Sequence, residues 1–476
     1  MTLLWEMGAL VEATGGRPFG TMPQGVTGIS IDSRTLKPGE AFFAIKGERF
    51  DGHDFATAAM AAGASILVVS EGKLPALGRL AIPKLVVPDV LGALRGLAAG
   101  ARRRTRAKVI AVTGSAGKTT TKEMLRHALS SVGTVHAAEQ SFNNHWGVPL
   151  TLARLPADCD FAVFEIGMNR AGEIEPLARL VEPHVAAITL VAGAHLGHFN
   201  SLDEIAQAKG EIFAGVVRGG HALINRDDQR ARLLSRMAAE AGIKNIWGFG
   251  EHARAQFRLV QYDPQGDWSA LNLKIAGQDL VGRVTVPGRH MAQNALVAVA
   301  AGYLAGADPE KLLTALGDFS AGPGRGRRHR LRHGEGVFTL IDESYNANPA
   351  SMKAALQLLD AAPVTGEGRR IAVLGDMLEL GEHSARLHTA LADIIAGTKT
   401  DVLLLAGAEM KALADRPPPN LRVEHRASAE ELEPLLLETV QPGDAVVVKS
   451  SKATGFSRLV EALLRHFPAV DEPARS

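Results

Sequence analysis

The stretch KVIAVTGSAGKTTTKEMLRHALSSVG, residues 108–133, decides how the rest of this chain is read. A short apolar, β-branched run is followed by two glycines, a lysine and three hydroxyls, and then by a segment of helical periodicity. Strand, tight loop and helix in that order aim backbone N–H groups and the positive end of a helix at one point, where an anion is held. The spacing is unusual, because a G-x-x-x-x-G-K-[ST] loop needs a glycine at 112 and this chain has Val112. What remains is Gly114, Ser115, Ala116, Gly117, Lys118 and Thr119, followed by Thr120. Lys118 is expected to neutralise the outer phosphates of a nucleotide and Thr119 to ligate Mg²⁺. The rival reading is a glycine turn that merely joins strand to helix. Strand, lysine and hydroxyl occurring together weigh against it.

Outward from the loop, the chain of 476 residues is 46% hydrophobic, enough for several cores, and its length suggests roughly three domains. Its 52 lysines and arginines nearly cancel 51 aspartates and glutamates, which gives no support to a general nucleic-acid or membrane-surface binder. The single cysteine, Cys159, excludes an internal disulfide framework and any cysteine-clustered metal site, so a reducing cytoplasm is expected. The opening MTLLWEMGALVEA carries Glu6 and Glu12 and reads as an amphipathic helix, not as a signal peptide. The apolar run from Asn294, NALVAVAAGYLAGA, is too short to span a bilayer and reads as a buried helix, so no membrane insertion is expected.

Residues 1–88 alternate short apolar strands with turns and form a small α/β unit. Residues 89–322 alternate apolar strands and helices, with FAVFEIG and VAAITLV as strands of a mostly parallel sheet covered on both faces. Near 320–336 the composition shifts to SAGPGRGRRHRLRHGEG, a cationic linker, and βα alternation restarts over 323–476 with four apolar strands. That pattern predicts a doubly wound sheet. The fold class is α/β in three domains.

Other candidates stand at strand ends. Glu165 closes FAVFEIG, and a carboxylate after so apolar a strand needs a partner that a metal could supply. His195 lies beyond AAITLVAGA at the carboxyl end of a predicted strand, where open α/β sheets place ligands. Either could instead be an ordinary satisfied residue. Lys209, on a predicted helix, reads as a solvated lysine on sequence physics alone. The turn DESYNANPASM gathers Asp342, Tyr345, Asn346 and Asn348 ahead of a helix; capping accounts for Ser351 and leaves Tyr345 and Asn346 unexplained. RRRTR at 102–106 reads as a solvated helix end, and RGRRHR as a connector or as the source of one arginine reaching a nucleotide. Neither run is interleaved with aromatics, which weakens a nucleic-acid reading.

Taken together, TGSAGKTTTKEM, NNHWGVPLTLARL, FEIGMNRAGEI, AHLGHFNSLDEIAQAKGEIF, GRHMAQNALVAVA, DESYNANPASM and AVLGDMLELG resemble the Mur ligase family over nearly the whole chain. The shortened loop is that family's own form. YNANP, GDMLELG, DSR and KGERFDGHDF are similar to the branch that joins D-alanyl-D-alanine to a UDP-MurNAc-tripeptide. The resemblance implies an N-terminal UDP-binding domain, a central P-loop ATPase and a C-terminal Rossmann-like ligase domain.

It also implies an ATP-driven ligation through an acyl phosphate, with ATP, two Mg²⁺ ions and a CO₂-derived carbamate on Lys209. By the same resemblance Glu165 and His195 join Thr119 as metal ligands, and Asn294, with His290 near it, meets adenine. Arg327 and Asp342 reach the nucleotide. Tyr345, Asn346 and Asn348 line the meeting point of dipeptide and phosphates, Ser33, Arg34, Lys46, Asp51, Gly52 and His53 surround the UDP moiety, and Asn143 and Asn144 face the central cleft. VKSSKATGF departs from the family's lysine, glycine, serine, arginine run at Ser450 and Lys452, so no role is assigned there. A monomer is the default. The rivals are another amide ligase of the superfamily and a non-catalytic nucleotide sensor.

Overall fold

The computed structural model describes residues 2–139, 141–193, 196–419 and 421–470. Besides a two-stranded antiparallel pair, Trp5–Glu6 with Gly25–Val26, three larger sheets follow one another along the chain. In the first, strands run in the order Arg17–Phe19, Lys84–Val87, Ile66–Ser70, Ala41–Phe43, Ile29–Ser30, parallel except for the first pair.

The central sheet has nine strands. Val135–Ala137, Phe161–Glu165, Lys108–Thr113, Val185–Ile188, His221–Asn225 and Asn245–Gly250 are parallel, as the apolar runs predict. Beyond them an antiparallel meander, Phe257–Pro264, Ser269–Ile275 and Gln278–Val284, extends the sheet. Simple strand–helix alternation up to residue 320 did not anticipate it. Its middle strand, Ser269–Ile275, alternates buried and half-buried positions, as a sheet wetted on one face requires.

The third sheet also exceeds expectation. Four parallel apolar strands, Gly336–Glu343, Ala445–Lys449, Arg370–Gly375 and Val402–Ala406, are flanked by Arg327–His333 and Arg422–Arg426. The sequence RRHRLRH, read as linker, is therefore an edge strand, where charged side chains discourage further pairing.

The helix Val90–Arg104 binds the first two sheets together. Asp89 caps it, accepting from Leu91 N at 3.1 Å and Gly92 N at 2.9 Å. Its face of Val90, Ala93, Leu94, Leu97, Ala98 and Ala101 shares one core with Trp5 and Leu10 of the first unit and with Val109, Ala111 and Phe164 of the central sheet. Its basic end is not wholly solvated. Arg102 donates to the carbonyls of Val181 and Glu182, and Arg104 lies 3.5 Å from the Trp5 ring centroid while donating to Leu4 O and Leu155 O. These two arginines find carbonyls on neighbouring segments, while Arg103 and Arg106 stay exposed. The opposite face of the central sheet is covered by Lys118–Leu129 and by Arg289–Leu304, the buried helix expected from Asn294. No helix among the described residues is long and apolar enough to cross a membrane.

Candidate functional site

The glycine-bearing loop 114–117 leaves the interior strand Lys108–Thr113 of the central sheet and enters the helix Lys118–Leu129. Gly114 has φ +151°, and a Cβ there would overlap Thr189 Oγ1, so only glycine fits the start of the loop. Ser115 is pinned: its N–H donates to Leu190 O at 2.7 Å and its hydroxyl to Ala192 O at 2.9 Å. Lys118 Nζ donates to Gly114 O at 2.7 Å. Burial pushes the Lys118 ammonium below its ordinary pKa, Glu165 opposes that shift and Arg325 adds to it.

Glu165 ends the strand Phe161–Glu165 and is 3% exposed. Its oxygens accept from Thr119 Oγ1 at 2.7 Å and from Asn143 Nδ2 at 2.7 Å. Both donors are neutral, so the hydrogen bonds orient the carboxylate without neutralising it. A hard-oxygen set of one carboxylate and one hydroxyl beside a phosphate loop suits Mg²⁺. His195 lies outside the described residues.

Lys209 lies in the last turn of the helix Leu202–Gly210, which Ser201 caps by accepting from Glu204 N at 3.2 Å. The lysine is 2% exposed, so the solvated reading is wrong. Burial, and then the charge of Lys118, hold its pKa well below the ordinary lysine value.

Two clefts open on this centre. The smaller, about 480 Å³, lies between the loop and the third sheet's turns and is lined by Ser115, Ala116, Gly117, Lys118, Thr119, Thr120, Asn294, His290, Tyr345, Asn346 and Asn348. Burial lowers the His290 pKa, with Glu343 opposing and Lys449 reinforcing. The larger, about 2330 Å³, lies between the first and central sheets and includes Ser33, Arg34, Lys46, Gly52, Asn143 and Asn144, with Phe50, which is 71% exposed, on its rim. Lys118, Asn143 and Asn346 line both clefts, so the two meet there.

Several expected residues take other places. Arg327 stands on the edge strand, exposed and in register with Asp342. Arg325, two residues earlier, reaches the smaller cleft, donating to Ser141 Oγ at 3.1 Å with its guanidinium 3.9 Å from the Tyr345 centroid. Asp342 is buried and holds that turn: it accepts from Gly324 N at 2.7 Å and from Ser344 Oγ at 2.6 Å. Its oxygens are used within the fold, and Glu343 lines the cleft in its place.

Asp51 and His53 form a lock instead of lining the larger cleft. His53 Nδ1 is 2.5 Å from Asp51 Oδ1, its Nε2 accepts from Ser70 N at 3.0 Å, and Lys73 pairs with Asp51 at 2.8 Å. Burial would raise the Asp51 carboxyl, but Lys73 and His53 hold it well below the usual range. Asn144 Oδ1 accepts from Gly147 N at 2.9 Å and so shapes the loop before the helix Gly147–Ala153. Asn348 is the cap of the helix Pro349–Asp360, and its Nδ2 donates to Ser115 O at 3.1 Å. Sequence reasoning missed Ser141 and Glu343, and within RGRRHR it singled out Arg327 where the cleft is lined by Arg325. Only the proline and glycine before Arg325 could have signalled that the chain turns there.

Three family descriptions match the chain in order: Mur ligase family, catalytic domain, over residues 25–102; Mur ligase middle domain over 112–302; and Mur ligase, glutamate ligase domain, over 326–452. The UDP-N-acetylmuramoyl-tripeptide–D-alanyl-D-alanine ligase of Escherichia coli is 35% identical over 438 residues, covering 91% of this chain and 93% of that protein. The ligase of the same name from Bacillus subtilis is 32% identical, covering 92% and 93%. A crystal structure of MurF from Acinetobacter baumannii superposes with a TM-score of 0.83 at 32% identity, covering 97% of this chain and 99% of that one.

Proposed function

The chain belongs to the Mur ligase family, and from that premise we propose that it joins D-alanyl-D-alanine to the tripeptide carboxylate of UDP-MurNAc-tripeptide, driven by ATP. The observation that carries this reading is the junction of the two clefts at Lys118, Asn143 and Asn346. A long nucleotide-sugar peptide fits the larger cleft, ATP fits the smaller, and their reacting ends would meet at that junction. On this reading residues 1–88 serve the UDP end, 89–322 the ATP, and 323–476 the dipeptide.

ATP supplies the γ-phosphoryl group that activates the tripeptide carboxylate as an acyl phosphate, which the dipeptide amine displaces to release phosphate. The N–H groups of Ala116 to Thr119 cradle the phosphates, and Lys118 exchanges its contact with Gly114 O for the outer phosphate oxygens, where charge concentrates during transfer. Mg²⁺ held by Thr119 and Glu165, with His195 and a second ion completing the set, would add positive charge at the transferring group. Asn143 keeps Glu165 oriented. Asn294 faces the loop from the helix Arg289–Leu304, where adenine would lie. Arg325, in place of Arg327, is the linker arginine suited to the phosphates. Tyr345 and Asn346 stand where the dipeptide would enter.

Lys209 is suited to carbamylation. The unprotonated form of the amine attacks CO₂, an N–C bond forms, one proton is lost to water, and the neutral buried amine becomes an anion able to help hold the second ion. With ¹³CO₂, the wild-type chain is expected to give a carbamate carbon resonance that Lys209→Ala lacks; an identical spectrum from both would exclude the modification.

The test of the whole reading is phosphate release. ATP, UDP-MurNAc-tripeptide and D-alanyl-D-alanine together should give phosphate and the pentapeptide product, and omission of any one should stop it. Lys118→Ala is expected to abolish turnover while calorimetry shows UDP-substrate binding retained. Release with glutamate or diaminopimelate as acceptor would identify another amide ligase of the family. ATP binding without acceptor-dependent release would identify a sensor.

A further inference from the structure

The wall of the smaller cleft formed by residues 449–453 carries no role in the reading above. Lys449 is 2% exposed and paired with Glu343 at 3.0 Å, and it also donates to Asn346 O at 3.1 Å. Ser451 is equally occupied, its N–H donating to Asp376 O at 3.0 Å and its Oγ accepting from Leu378 N at 2.9 Å. Both residues build the wall. Lys452 differs: it is exposed, it lines the cleft, and its Nζ lies 5.1 Å from the Tyr345 centroid without a carboxylate partner among the described residues.

Four cations line this cleft: Lys118, Arg325, Lys449 and Lys452. Lys118 belongs to the phosphate loop. Arg325 reaches Ser141 on the central unit and acts electrostatically on Lys118, so it serves the phosphate end. Lys449 is neutralised by Glu343. The remaining charge is at Lys452.

We propose that Lys452 recognises the terminal carboxylate of the incoming dipeptide and so turns its amine toward the activated carbonyl. The inference rests on the ligase reading above. The dipeptide is a zwitterion with an end that reacts and an end that must be held away. A cation facing open cleft space pairs with the carboxylate, and a charge-assisted contact of this kind is roughly twice as strong as a neutral one. The Tyr345 face keeps the ammonium in place by cation–π attraction. Glu343 is balanced by Lys449, and Glu379, on the same cleft, has a partner of its own.

The experiment uses the full chain with saturating ATP and UDP-MurNAc-tripeptide. Phosphate release is followed against D-alanyl-D-alanine and against its C-terminal amide, which lacks the charge. Wild type should prefer the free acid. Lys452→Gln should raise the KM for the acid by roughly ten- to hundredfold, the loss of one charged hydrogen bond. It should leave the KM for ATP unchanged and no longer distinguish acid from amide. Lys452→Arg should restore most of the preference. A Lys452→Gln protein that keeps the preference, or that weakens both acceptors equally, overturns the assignment. A wild-type protein inactive with both acceptors overturns the ligase reading and this assignment together.

Discussion

Asn348 performs two tasks with one amide. Its Oδ1 accepts from Ser351 N at 2.9 Å, closing a capping box, while its Nδ2 reaches across to the phosphate loop at Ser115 O. The sequence marks both Asn348 and Ser351 as polar groups before a helix, but not that the loop is the other partner. Asn348→Ser separates the tasks, because serine caps about as well as asparagine but is too short for the bridge. Its stability cost should stay below about 1 kcal/mol in denaturant melts. Turnover should fall about two- to tenfold, the cost of one neutral bridging hydrogen bond, with the KM for the UDP substrate unchanged. Asp342 shows why residue identity does not give residue role. An aspartate at a strand end reads as a ligand, yet here both oxygens are taken by Gly324 N and Ser344, and Arg325 gains its position as a result.

At the scale of elements, the interior strands were legible because burial on both faces leaves a continuous apolar run. The edge strands were not, since Arg327–His333 and Arg422–Arg426 carry the charges that edges require. One ladder holds a titrating group. His184, just before the strand Val185–Ile188, accepts from Val109 N at 3.0 Å through Nδ1 and donates its own N–H to Val109 O at 2.8 Å. Burial first, then Arg102, Lys108 and His221, lower its pKa to about 4. The unfolded chain therefore binds a proton more readily than the native one between that value and the ordinary 6.5. The contribution to stability is complete above pH 6.5 and is lost as the pH falls toward 4. After discounting for partial exposure it amounts to about 1–2 kcal/mol. His184→Asn, which keeps an acceptor for Val109 N, should flatten that part of the acid limb in melts recorded across this range.

At the scale of the whole molecule, the third unit meets the central one at a glycine pair. Gly197 N donates to Glu379 O at 3.0 Å, and Gly381, at φ +54°, would carry a Cβ only 2.7 Å from Gly197 Cα. Gly381→Ala should strain the turn by about 1–2 kcal/mol and push the two units apart. UDP-substrate affinity measured by calorimetry should persist, because most of the larger cleft is formed by the first two units. Phosphate release should fall, since an open site admits water and leaves the phosphate loop without its partner.

The sequence by itself determined the strand–loop–helix at 108–129, the parallel interior strands and the family, because each is written in the spacing of neighbours along the chain. Val112 in place of a glycine belonged to that local code. Tertiary structure decided which side chains remain free to act. Lys209 became a buried amine, Arg325 and not Arg327 reached the smaller cleft, and Asp51, His53 and Asp342 were bound into the fold. The physical reason is that a buried polar group must be paired, and its partner is chosen by distance in space, which the order of residues does not express.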